Sequence, residues 1–139
     1  MFTLHPQLAA DTLVVGDLPI CRILLERQHG QFPWLIMVPK RTGCRDLTDL
    51  PDMDYLPVME EIRTVHDALR ALTGADRMDV AVCGGRISQL HIHVIARLKR
   101  DAVWPDPVFG TPATPYTEED GAMMVEKLQK ALDVTPVTD

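Results

Sequence analysis

The stretch SQLHIHVIAR, residues 88–97, sets two histidines two positions apart inside an apolar run. Side chains alternate across a β-strand. Leu90, Ile92 and Val94 therefore share one face, and Gln89, His91, His93 and Ile95 share the other. The first set reads as core. The second is a polar row whose members stand roughly 7 Å apart along the strand. Such a row on a rigid element can line a chemical site.

Outward from this strand, the chain divides into short apolar runs and two helical segments. DTLVV, GD and LPICRILLE (11–26) read as a hairpin turning at Gly16-Asp17, with Pro19 at an edge or strand-start position. PWLIMVP (33–39) is apolar on both faces, which predicts a central, buried strand. YLPVMEEIRTVHDALRALTG (55–74) is the main helix, beginning near Tyr55 with Pro57 in its first turn. Leu56, Met59, Ile62, Leu69 and Leu72 recur at helical spacing, and Gly74 supplies the stop. MDVAVC (78–83) is a fourth strand, and Gly84-Gly85 turns the chain into the fifth, QLHIHVIA (89–96). WPDPVFGTPATP (104–115) is too rich in proline for a regular element. Thr117, followed by three acidic residues, caps a last helix reaching about Leu132. Met53, Met59, Met78, Met123 and Met124 read as core and gap-filling residues. The order of elements predicts an α+β fold, with helices packed on a five-stranded antiparallel sheet.

The 139 residues, 46% of them apolar, suit one domain spanning 1–139, with its core at about 12–110 and the last helix at about 117–132. A formal net charge of −6 argues against attachment to nucleic acid or an anionic membrane. Cys21, Cys44 and Cys83 are odd in number and widely spaced, which suits reduced thiols. The first residues, MFTLHPQLAADT, lack the pattern of a signal peptide. The expectation is a cytoplasmic protein.

The histidine pair admits three interpretations. The two side chains can be solvent-facing strand residues. They can ligate a metal, but zinc wants a third ligand, and His5, His29 and His66 lie in unrelated contexts, so no metal site is expected. Or one imidazole can attack phosphorus, provided one nitrogen is held protonated and the other is free. Arg86, Arg97, Lys99 and Arg100 bracket the strand, and Lys40 and Arg41 follow the third. In an acidic protein that clustering favours a small phosphate-bearing ligand.

These residues resemble the histidine triad (HIT) family, whose signature is His-φ-His-φ-His-φ-φ with φ apolar. This chain has QLHIHVI (89–95), with glutamine at the first histidine. WLIMVPKR (34–41) is similar to the family's apolar strand ending in Pro-Lys, and DLTDL (46–50) and AVWPDPVFG (102–110) are similar to its flanking segments. The resemblance implies a small α+β domain that pairs into a homodimer. It implies hydrolysis or transfer at the α-phosphate of a nucleotide through a nucleotidyl-histidine intermediate. Carried onto this chain, His91 is the nucleophile, its Nδ1–H held by a backbone carbonyl such as that of Gln89. His93 donates to an α-phosphate oxygen, and Gln89 and Ser88 complete the phosphate site. Glu26 is placed for the ribose hydroxyls, and Trp104 for covering the nucleoside. Trp34 and Phe32 can contact the base or belong to the core. The partner is a small-molecule nucleotide substrate; no cofactor, nucleic acid or membrane is implied. A non-catalytic nucleotide-binding module, marked by Gln89, and a metal-dependent hydrolase using His91 and His93 are the alternatives.

Overall fold

The structure, a computed structural model, describes residues 1–137; the last two positions of the expected 1–139 domain lie outside the described residues. Five strands form one antiparallel sheet: β1 (Thr12–Asp17), β2 (Cys21–Glu26), β3 (Trp34–Pro39), β4 (Arg77–Ala81) and β5 (Ile92–Arg97). Their spatial order is β1-β2-β3-β5-β4. The doubly apolar β3 lies centrally, between β2 and β5, and all six of its residues are buried. Among the described residues, no helix is long and apolar enough to cross a membrane.

Each strand's alternation sorts its side chains between two apolar layers. Ile23, Leu25, Leu35, Met37, Ile92 and Val94 point into the larger one. There they meet α2 (Tyr55–Thr73) and α3 (Glu118–Leu132). Leu24, Trp34, Ile36, Val38 and Ile95 point the other way, toward Leu8 of a short helix, α1 (Pro6–Asp11), and Val108 of the proline-rich segment. Glu61 ties α2 to the sheet: its buried carboxylate accepts the backbone N–H groups of Ile20 and Cys21, both at 2.8 Å. Bonds to a charged acceptor of this kind contribute about 1.5–3 kcal/mol each.

Several boundaries differ from the sequence reading. The β1–β2 turn lies at Leu18–Ile20, past Gly16-Asp17, and Pro19 sits inside it. Asp17 is a strand residue, paired across the hairpin with Arg22 and bonded to its guanidinium at 2.8 Å. Gly16 is required by the chain's end: a Cβ there would meet the Thr135 carbonyl at 2.6 Å. On α2 the buried face is Val58, Glu61, Val65 and Leu69. Of the expected stripe, Leu69 is buried and Ile62 packs on the core, but Leu56 and Met59 are 69% and 61% exposed, so apolar spacing alone identified only part of the buried face. Met53 and Met123 are likewise exposed, whereas Met78 and Met124 do pack on the core. Gly74 ends α2 in the left-handed region, and Thr117 caps α3 by accepting from the Asp120 N–H. The short α1 escaped the sequence reading, although Pro6 at its first turn and the His5 cap are legible signals.

Candidate functional site

The fifth strand is shorter than its hydrophobic pattern. It starts at Ile92, so His91 stands just before it and His93 is its second residue. Leu90 leaves the sheet ladder and donates its N–H to the Cys44 carbonyl at 2.9 Å. The alternation nonetheless holds: the two imidazoles lie on the face opposite α2 and α3, with ring centroids 5.1 Å apart.

The two histidines have different partners. His91 Nδ1–H donates to the Gln89 carbonyl at 2.7 Å. A carbonyl only accepts, so this bond keeps the proton on Nδ1 and the lone pair on Nε2. Gly84 lies directly against that nitrogen; a Cβ at this position would stand 2.3 Å from Nε2. His93 is bonded at both nitrogens. Its Nδ1 accepts the Trp34 indole N–H at 3.0 Å, and its Nε2–H donates to the Cys83 carbonyl at 3.0 Å. Burial pushes the His93 pKa down to about 4, with His91 adding to the effect and the Cys83 carbonyl opposing it.

A cavity of about 180 Å³ opens beside His91, lined by Arg45, Asp46, Cys83, Gly85 and Ser88. Ser88 is thus brought to His91. Gln89 behaves otherwise: its side-chain oxygen accepts the His5 N–H at 2.8 Å and its amide donates to the Thr3 carbonyl at 2.9 Å. It clasps the chain's first residues as a neighbouring strand would.

From His93 a row of rings leads across the sheet. Trp34 lies 5.6 Å from His93, and His29 lies 5.2 Å from Trp34. Glu26 closes the row, its carboxylate 3.9 Å from His29 Nδ1 and accepting the Gln28 N–H at 2.8 Å. Burial holds the Glu26 carboxyl above its ordinary value, against the pull of Gln28 and His29. Phe109 covers the row, 5.0 Å from His93 and 5.4 Å from Trp34. Trp104, expected to cover the nucleoside, is half-buried five residues upstream in the proline-rich segment.

Three of the six basic residues singled out near the motif have structural duties instead. Arg97 is buried between Asp79 and Asp101, Lys40 pairs with Asp17, and Arg41 pairs with Asp54. Arg45, unremarked in the sequence, is the one that lines the His91 cavity. Among the described residues no group of three or more His, Cys, Asp and Glu is placed to hold a metal ion. Trp34 was readable in principle, since a buried indole N–H needs an acceptor. The Gly84-Gly85 pair likewise signals a close backbone approach.

Residues 7–100 match the HIT domain family. The chain belongs to the histidine triad family. Its members are generally nucleotide-binding hydrolases or transferases, and some are non-catalytic. A histidine triad protein of Marinobacter aquaeolei is 40% identical, covers 96% of this chain and 97% of its own, and superposes with a TM-score of 0.90. Histidine triad proteins of Bradyrhizobium japonicum and Sinorhizobium meliloti are each 32% identical over 94% of this chain, with TM-scores of 0.89; the matches cover 98% and 97% of those proteins. No curated protein matched the sequence.

Proposed function

We propose that this chain is a nucleotide hydrolase or nucleotidyl transferase that attacks an α-phosphate with His91. One observation carries the reading: the bond from His91 Nδ1–H to the Gln89 carbonyl leaves Nε2 as the nucleophilic atom beside an open cavity. Gln89 stands at the first histidine of the family signature, and its main-chain carbonyl supplies what the nucleophile needs whatever the side chain. Attack forms a nucleotidyl-histidine, which water or another acceptor resolves. His93 Nε2–H serves a phosphoryl oxygen once the Cys83 carbonyl gives way, and Gly84 must draw back for phosphorus to reach His91. Arg45 and Ser88 border the space where the phosphate charge would sit. Glu26 and the ring row mark the nucleoside side. The dinucleoside polyphosphates and nucleoside phosphoramidates are the substrate classes to test.

The deciding experiment incubates the purified protein with a panel of adenylylated compounds, with and without EDTA. Expected results are AMP release, an adduct on His91 by mass spectrometry, and no effect of chelator. Binding without release or adduct points to a non-catalytic module. Loss in EDTA with recovery on zinc points to a metal-dependent hydrolase.

We further propose one domain over the chain, working in the cytoplasm as a homodimer. β4 is an edge strand with exposed Val80, and α2 exposes Leu56 and Met59, surfaces that pairing would cover. Light scattering should give twice 15.6 kDa at micromolar protein; a monomer would contradict the dimer.

A further inference from the structure

The contact between Trp34 and His93 has chemical content that the apolar character of β3 conceals. An indole N–H can donate and cannot accept. By donating to His93 Nδ1 at 3.0 Å it requires a lone pair there, and so places the ring's proton on Nε2. The Cys83 carbonyl, an acceptor only, demands the same arrangement from the opposite side at 3.0 Å. Two partners of fixed polarity thus leave His93 one tautomer. A second proton on Nδ1 would face the indole N–H head-on. Burial acts in the same direction. The ring is enclosed by Trp34 from β3, Phe109 from the proline-rich segment, Cys83 after β4 and His91 before β5.

We propose that Trp34 is a positioning residue that holds His93 as a neutral Nε2–H donor, so that His93 gives a hydrogen bond but no proton, and turnover is confined to substrates whose leaving group departs as a stable anion. The inference rests on the catalytic reading of His91 above. In the step it describes, the His91 Nε2 lone pair forms the N–P bond. The bridging P–O bond breaks, and its electron pair leaves on phosphate, polyphosphate or carboxylate oxygen, which needs no proton. Water then attacks phosphorus, the N–P pair returns to Nε2, and the water proton passes to solvent. An amine leaving group would carry the pair away on nitrogen and would need a general acid. Gln89 has no proton to give. The other polar side chains lining the cavity are Arg45, Asp46, Cys83 and Ser88; an ionised carboxylate only accepts, and a serine hydroxyl gives a hydrogen bond while keeping its proton. Arg45 does not deprotonate, and burial raises the Cys83 thiol further above neutrality. A phosphoanhydride or acyl phosphate therefore fits this site better than a phosphoramidate.

Imidazole 15N spectra of the protein test the tautomer directly, without any substitution. The expected spectrum shows His93 protonated at Nε2 and bare at Nδ1 from pH 5 to 8. Trp34→Phe keeps a ring against His29 and Phe109 but removes the donor. In that variant the Cys83 carbonyl still favours Nε2–H, but the Nδ1 resonance should lose the shift caused by its indole donor and His93 should titrate at higher pH. A proton on Nδ1 in the wild type, or an unchanged His93 spectrum in folded Trp34→Phe, overturns the assignment. In turnover, kcat/KM for an adenylyl phosphoanhydride should exceed that for an adenosine phosphoramidate by at least about 100-fold, the contribution a general acid commonly makes. Equal rates would overturn the leaving-group restriction. Turnover of neither compound, with the tautomer held, would overturn the catalytic reading of His91 and leave the Trp34 assignment standing.

Discussion

The two faces of the sheet are made by the same strands and are built differently. Toward α2 and α3, Leu35, Met37, Ile92 and Val94 meet apolar side chains from regular helices. Toward the N-terminal segment with its short α1 and the proline-rich loop, Trp34, Ile36, His93 and Ile95 meet less regular chain. The first face needs only volume and apolarity, which many residues supply. The second buries the Trp34 indole and His93 imidazole nitrogens, which are matched to partners of the right polarity. The sheet's stability should thus be concentrated on one face and its chemistry on the other.

The largest effect should come from the second face. His91→Ala removes the proposed nucleophile, so turnover should fall by several powers of ten while the protein stays folded. Wild-type-like rates from a folded variant would end the mechanism. The mirror experiment is Leu35→Ala, on β3 but facing the helices. It should cost about 2–5 kcal/mol of stability by denaturant titration. The fraction that remains folded should keep its kcat/KM, and a specific loss of catalysis would blur the division between faces.

Acid offers a third way to separate them. His93 is held near pKa 4 in the fold, against about 6.5 when unfolded. The unfolded chain therefore binds this proton first as the pH falls. The stability associated with neutral His93 is whole above about pH 6.5, declines as pH drops toward 4, and amounts to about 3 kcal/mol. Denaturation of wild type and His93→Gln should diverge over that window, because only the wild type carries this titration. Parallel curves would show that the ring is not held neutral.

The smallest effect belongs to Gln89. Its side chain grips the backbone at Thr3 and His5 and makes no contact with His91's ring nitrogens. Gln89→Ala should lower kcat/KM by about one to two powers of ten through release of that segment and loss of a polar contact. Gln89→His should remain active. If folded Gln89→Ala were as inactive as His91→Ala, the amide would belong to the chemistry and the Gln89 carbonyl alone would not suffice.

What the sequence determined by itself was local and periodic. Period-two alternation placed His91 and His93 on one face and Leu90, Ile92 and Val94 on the other. The doubly apolar β3 announced a central strand, Gly74 and Thr117 announced helix ends, and the order of elements announced the sheet. The family resemblance names the carbonyl of Gln89 as the partner of His91, and the bond is local, two residues along the chain. Other features depended on segments distant in sequence, and there local pattern has no purchase. Glu61 joins the buried stripe of α2 because its carboxylate reaches the backbone N–H of Cys21, 40 residues earlier. Arg97 and Lys40 were claimed by aspartates that tertiary packing brought to them. Trp34 and His93 are 59 residues apart, and only the antiparallel register of β3 and β5 aims the indole N–H at the imidazole. Phe109 and Gly84 close over the histidines from loops whose paths no periodicity specifies. Alternation chose the face of the site; hydrogen bonds from Trp34 and to the Cys83 carbonyl, reached only through the tertiary fold, decided the state in which His93 is held.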